Sequence, residues 1–214
     1  EALAAELGTP CRILPADLAD EADCARLCAA LAGENIDIFI NNAGFGVCGS
    51  YLETDAAREE EMIKVNVAAM ARLFHFAVRK MDAAGGGTIL NVASSAGLLP
   101  GGPYMAGYYA SKAYVVSLTR GVAEELRENR SPVYVCALCP GPVNTEFNDR
   151  AGVVFALKGI TPEFCVEEAL LGMMHHKTVI VPSAFMRLCT GAQKLLPTPL
   201  LMPIVARQQK KKLG

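Results

Sequence analysis

At 214 residues, with 20 basic and 22 acidic side chains and a formal net charge of -2, the chain has the length of one domain, read here as spanning 1–214, and lacks the basic excess of a nucleic-acid binder. Hydrophobic residues make up 52% and charged ones 20%, the composition of a globular protein. The apolar stretch 195–206 is broken by Pro197, Pro199 and Pro203, so no transmembrane segment is expected. The opening residues, Glu1 to Leu7, lack the basic-then-apolar layout of a signal peptide, which gives a cytoplasmic reading.

Taken in chain order, residues 1–7 read as the end of an amphipathic helix stopped at Gly8. Short β-rich apolar runs then alternate with longer helical patterns. Strands are expected at Arg12–Pro15, Ile36–Ile40, Gly87–Val92, Val133–Leu138 and Val179–Val181, and helices near Glu21–Leu31, Ala57–Met81, Tyr108–Glu128 and Pro162–His175. Four of the strands are continuously apolar, as parallel strands buried on both faces are. The alternation predicts an α/β fold, a Rossmann-like, three-layer, doubly wound parallel sheet. Residues 183–214 form a C-terminal tail that covers the substrate or joins an interface. Burial against its own protein is the expectation there, over a membrane-surface role.

The eight cysteines are scattered through apolar segments and read as reduced core thiols. Cys136 and Cys139 have redox or metal spacing but sit at a buried strand with no second pair nearby, so no metal is expected. His175 and His176 end a helix, where a partial positive charge is favourable, and receive no catalytic role.

The chemistry concentrates where strands end. Asn41-Asn42-Ala43-Gly44 follows the second expected strand, with small residues that let a ligand approach the backbone. Ala93-Ser94-Ser95-Ala96-Gly97 follows the third and puts hydroxyls at the same edge. In Tyr108-Tyr109-Ala110-Ser111-Lys112, the hydroxyl and the ammonium stand four residues apart on one helix face. A tyrosine titrates near pH 10 and needs a nearby cation to act as a general acid or base at neutrality; Lys112 is the expected source. Pro140-Gly141-Pro142-Val143-Asn144-Thr145 follows the next strand.

These motifs, in this order, resemble the short-chain dehydrogenase/reductase family from about Asp17 through Thr145, and more loosely to Val181. The resemblance implies an NAD(P)-dependent oxidoreductase that interconverts a carbonyl and a secondary alcohol. It implies Tyr108 as proton donor or acceptor, Lys112 as holder of the nicotinamide ribose, Ser94 as the serine on the substrate oxygen and Asn66 as the asparagine of a proton relay. Ser95 competes with Ser94: it stands at the commoner distance from Tyr108, whereas Ser94 begins the Ser-x-x-Gly motif and is preferred. For the cofactor, NADP with NAD possible, the resemblance implies contacts from Asp17, Leu18, Asn42, Ala43, Gly44, Tyr108, Lys112, Pro140, Gly141, Val143 and Thr145. Asp17 also reads as a turn residue, and Thr145 as a helix cap.

The family's opening strand, glycine-rich loop and helix do not occur in this sequence, so the N-terminal βαβ unit is expected to be missing and the sequence to be a piece of a longer polypeptide. A non-catalytic binding or scaffold protein with the same fold is the competing reading. The apolar stretch 151–157 predicts a hydrophobic pocket and a lipophilic substrate, with Tyr104, Met105 and Phe147 in segments that contact substrate in the family. The helices 57–81 and 108–128 resemble the family's dimer-forming pair, which implies a homodimer or homotetramer.

Overall fold

A computed structural model of the chain describes residue 6, residues 8–145 and residues 159–210, apart from the side chain of Lys194. Four strands, β1 (Ile38–Asn41), β2 (Gly87–Val92), β3 (Val133–Leu138) and β4 (Val179–Ile180), form one parallel sheet in that order. Its register sets Ile89 between Phe39 and Val135, and Leu90 between Ile40 and Cys136. The helices are α1 (Glu21–Leu31), α2 (Ala56–Ile63), α3 (Met70–Ala83), α4 (Ala106–Glu128), α5 (Pro162–Met174), α6 (Ala184–Ala192) and α7 (Thr198–Lys210).

Alternation along the strands separates two cores. Ile89, Val133, Val135 and Ala137 pack with Met70, Phe74, Ala77 and Met81 of α3 and with Val115 and Val116 of α4. Leu90, Cys136, Leu138 and Ile180 face the opposite way, onto Cys165 and Ala169 of α5. The result is the expected three-layer arrangement of helices on both faces of a parallel sheet. Caps start the helices where the sequence places an oxygen. The Asp20 carboxylate accepts from the backbone N–H of Ala22 and Asp23 at 2.7 and 2.9 Å, and Thr161 caps α5 ahead of Pro162, whose missing N–H costs nothing in a first turn.

The structure corrects several expectations. Residues 12–15 form no strand, because a strand needs a hydrogen-bonded partner and β1 pairs with β2 alone among the described residues. Nor is β1 buried on both faces. Phe39 joins the core under α3, but Ile38 and Ile40 are 57% and 56% exposed, since α5 covers β2, β3 and β4 without reaching them. The expected helix 57–81 is two α-helices joined by a π-helical segment, Lys64–Ala69. The tail is helical despite its prolines. Pro199 lies in the first turn of α7, and Pro203 inside it removes a single N–H, while burial of Leu201, Val205 and Gln209 on one face fixes the helix. All eight cysteines are free thiols, but Cys11 and Cys189 are exposed rather than core. The segment 151–157 and Phe147 lie outside the described residues.

Candidate active site

The carboxyl ends of β1, β2 and β3 open onto a cavity of about 930 Å3, lined by Asn42, Gly44, Ser94, Tyr108, Lys112, Pro140, Gly141, Val143 and Thr145 among others. Of the catalytic and cofactor residues expected from the sequence, Asp17, Leu18, Ala43 and Asn66 do not line it, nor does Tyr104 among the expected substrate contacts. Asp17 is exposed and spends its carboxylate on the Ala19 N–H at 2.9 Å, the turn role open to it from sequence.

Tyr108 and Lys112 stand on the first two turns of α4 and are both buried. The Tyr108 and Ser94 hydroxyls hydrogen-bond one another. Ser94 is held for this by its position as cap of a 3-10 turn, Ser95–Leu98, where its Oγ accepts from Ala96 N–H at 3.1 Å. Ser95 is used otherwise: its backbone N–H donates to the Pro140 carbonyl at 2.7 Å, tying the serine loop to the Pro140–Thr145 segment. That segment is pinned in turn by Ile160, whose N–H reaches Pro142 O at 3.0 Å.

Lys112 donates to Val92 O at 2.9 Å and lies 5.9 Å from the centre of the Tyr108 ring. Burial lowers its pKa to about 8, because the ammonium has left water without an anion beside it. Burial also pushes the Tyr108 phenol up, and the Ser94 hydrogen bond offsets part of that rise. A lysine four residues on is expected to draw the phenol toward neutrality, but in this structure desolvation dominates. Lys112 has three N–H donors and the structure assigns one of them to Val92 O, so its chemistry fits a hydroxyl-bearing ligand such as a ribose.

Asn66 sits in the π-helical segment, where its side chain leaves the helix to bracket one residue. Its Nδ2 donates to Phe45 O at 2.8 Å and to Ser111 Oγ at 3.1 Å, and its Oδ1 accepts from Phe45 N–H at 3.1 Å. A Cβ on Gly44 would come within 2.9 Å of that oxygen and 3.3 Å of the Lys112 Nζ. Glycine is what lets the strand end pass between Asn66 and Lys112.

Sequence reasoning missed a second buried polar set. Asn41 Nδ2 donates to Asn91 Oδ1 at 2.8 Å, Asn91 Nδ2 donates to Thr119 Oγ1 at 3.0 Å, and Thr119 returns its proton to Val115 O at 2.7 Å. This chain ties β1, β2 and α4 together directly beneath the cavity. The available signal was a polar Asn91 inside an otherwise apolar strand. The tail contributes to the wall: Leu201 and Val205 of α7 pack with Met105, Tyr108 and Tyr109, and the Gln209 amide donates to the Tyr109 hydroxyl.

A parallel sheet with a buried Tyr-x-x-x-Lys pair, a serine hydroxyl on the tyrosine and an apolar cavity at the strand ends is an architecture of the Rossmann-like class. The chain belongs to the short-chain dehydrogenase family: the model of that family, described as short chain dehydrogenase, matches residues 1–152. It is 32% identical over 152 residues to nodulation protein G of Rhizobium meliloti (strain 1021), a match covering 70% of this chain and 61% of that protein. It is 31% identical over 164 residues to D-beta-hydroxybutyrate dehydrogenase of the same organism, covering 73% and 61%. The matched region thus spans about three fifths of these relatives. Among solved structures, a short-chain dehydrogenase from Sphingobium yanoikuyae in complex with NADPH superposes with a TM-score of 0.78 at 31% identity, covering 91% of this chain and 78% of that one. A bulky-bulky ketone specific alcohol dehydrogenase from Comamonas testosteroni gives 0.73 at 27%, covering 91% and 76%.

Proposed function

We propose that this protein interconverts a carbonyl and a secondary alcohol on a lipophilic substrate with a nicotinamide cofactor, NADP or NAD. The observation that carries the reading is the Tyr108–Ser94 hydroxyl pair beside the Lys112 ammonium, all facing one cavity whose remaining wall is largely apolar. Structural relatives bound to NADPH and selective for bulky ketones support it.

When bound, the cofactor supplies or accepts the hydride at the substrate carbon. Asn42, Ala43 and Gly44 at the end of β1 would border its adenosine ribose, with Asp17 and Leu18 nearer the adenine; Lys112 would hold the nicotinamide ribose, and Pro140, Gly141, Val143 and Thr145 would line the nicotinamide. In the reductive direction Tyr108 donates its hydroxyl proton to the carbonyl oxygen, and Ser94 hydrogen-bonds the same oxygen as charge develops on it. The positive charge of Lys112 favours the tyrosinate left behind. Asn66, with its amide committed to Phe45 and Ser111, fixes the backbone that follows Gly44.

Titration with NADPH and NADH, followed by turnover of a panel of lipophilic ketones, tests the proposal. Binding of one nucleotide and ketone reduction abolished by Tyr108→Phe are expected. Failure to bind either nucleotide would leave a non-catalytic member of the fold.

A further inference from the structure

We infer that the mouth of the cavity docks on an anionic lipid surface. The tail separates charge from the rest of the chain: residues 178–214 contain six of the 20 basic residues and none of the 22 acidic ones. Such a segment is cationic on a protein that is otherwise net acidic, and membranes bearing anionic headgroups attract cationic segments. The nearest carboxylate in sequence, Glu168, is taken up by Arg187 at 2.7 Å, so it does not cancel the excess carried by Arg207, Lys210 and the lysines beyond.

The same segment also exposes apolar side chains. Phe185 of α6 and Ile204 of α7 line the cavity and are nevertheless 58% and 53% exposed. They therefore stand at its rim. Leu188 lies one turn from Phe185 and Leu200 one turn from Ile204, on the same helix faces, and they are 69% and 61% exposed. Helix α7 is thus apolar on two sides. Leu201, Val205 and Gln209 face the protein, while Leu200 and Ile204 face outward, followed one turn later by exposed Arg207.

Charge alone would fit any polyanion. A nucleic acid offers nothing to an exposed rim of Leu, Ile and Phe, whereas a lipid interface accepts both the apolar side chains and, at headgroup depth, the cations beside them. Phe185 and Ile204 both line the cavity that holds Tyr108, so a lipid-docked rim would offer an apolar molecule a path from bilayer to Tyr108.

Co-sedimentation of the full chain with vesicles tests this. Vesicles of phosphatidylcholine containing about a third phosphatidylglycerol should bind it at least about tenfold better than phosphatidylcholine alone, and the difference should shrink as salt is raised toward roughly 0.5 M. Leu188→Gln/Leu200→Gln and, separately, Arg207→Glu should each lower anionic-vesicle binding about tenfold, with cofactor binding and the circular dichroism spectrum unchanged. Equal binding to both vesicle types, no binding to either, or binding that survives these substitutions overturns the inference. So does an oligomer in light scattering that Leu188→Gln/Leu200→Gln dissociates, since a second copy would then own the surface. Vesicle binding by a protein that reduces no ketone would uphold the inference and remove only the oxidoreductase reading.

Discussion

A Cβ placed on Gly97 would lie 2.4 Å from the carbonyl oxygen of Lys112 and 2.6 Å from its carbonyl carbon. The glycine of the Ser-x-x-Gly motif is therefore the surface on which α4 rests, and it sets the distance between the serine turn and the Tyr108–Lys112 pair. Because the obstruction is backbone rather than a movable side chain, Gly97→Ala must displace the helix. We expect a loss of about 1–3 kcal/mol in urea unfolding, together with at least a tenfold fall in ketone turnover.

Lys112 is a destabilising residue at neutral pH. Its folded pKa of about 8 lies below the usual lysine value of 10.5, so the folded state disfavours the proton that the unfolded chain holds. The penalty is fully present below pH 8 and is relieved as pH rises from about 8 to 10.5. Lys112→Met should raise stability by roughly 1–3 kcal/mol at pH 7, with the gain shrinking above pH 8. Thermal melts of both proteins across this range provide the check.

The two adjacent serines should separate cleanly. Ser94 shares a hydrogen bond with Tyr108, while Ser95 contributes its backbone N–H to Pro140. Ser94→Ala is expected to lower kcat by about 10²–10³, and Ser95→Ala to leave it within about threefold, since the Ser95 bond is made by the main chain. Equal losses in the two variants would count against this assignment.

Asn66 makes three hydrogen bonds from a site that is 1% exposed. Asn66→Ala orphans the Phe45 N–H and C=O together, at about 1–3 kcal/mol for each group left unsatisfied. Chemical denaturation should show the loss, and amide exchange at Phe45 should quicken most.

Sequence was informative where function depends on local spacing. Tyr108 and Lys112 could be paired from their separation of four residues, and the parallel sheet could be inferred from apolar runs alternating with helical ones. It was uninformative where a property belongs to the assembled whole. Residues 12–15 have strand composition but no neighbour to pair with among the described residues. The direction of the Tyr108 shift depends on burial by Met105, Leu201 and other distant residues, which no spacing reveals. Counting prolines concealed α7, because a proline's cost depends on its place in the helix, and Pro199 sits in a first turn.

The π-helical segment at Lys64–Ala69 also sets helical phase. One added residue per turn rotates α2, on its N-terminal side, relative to α3 on its C-terminal side. Met62, in α2, is buried with Met105 and Tyr108, whereas Met70, Phe74, Ala77 and Met81, in α3, fill the core under β2 and β3. A continuous helix thereby serves two separate interiors. Were the same residues wound as a regular α-helix, Met62 would swing by about 100°, which makes the winding of this segment, and not only its composition, a determinant of the cavity.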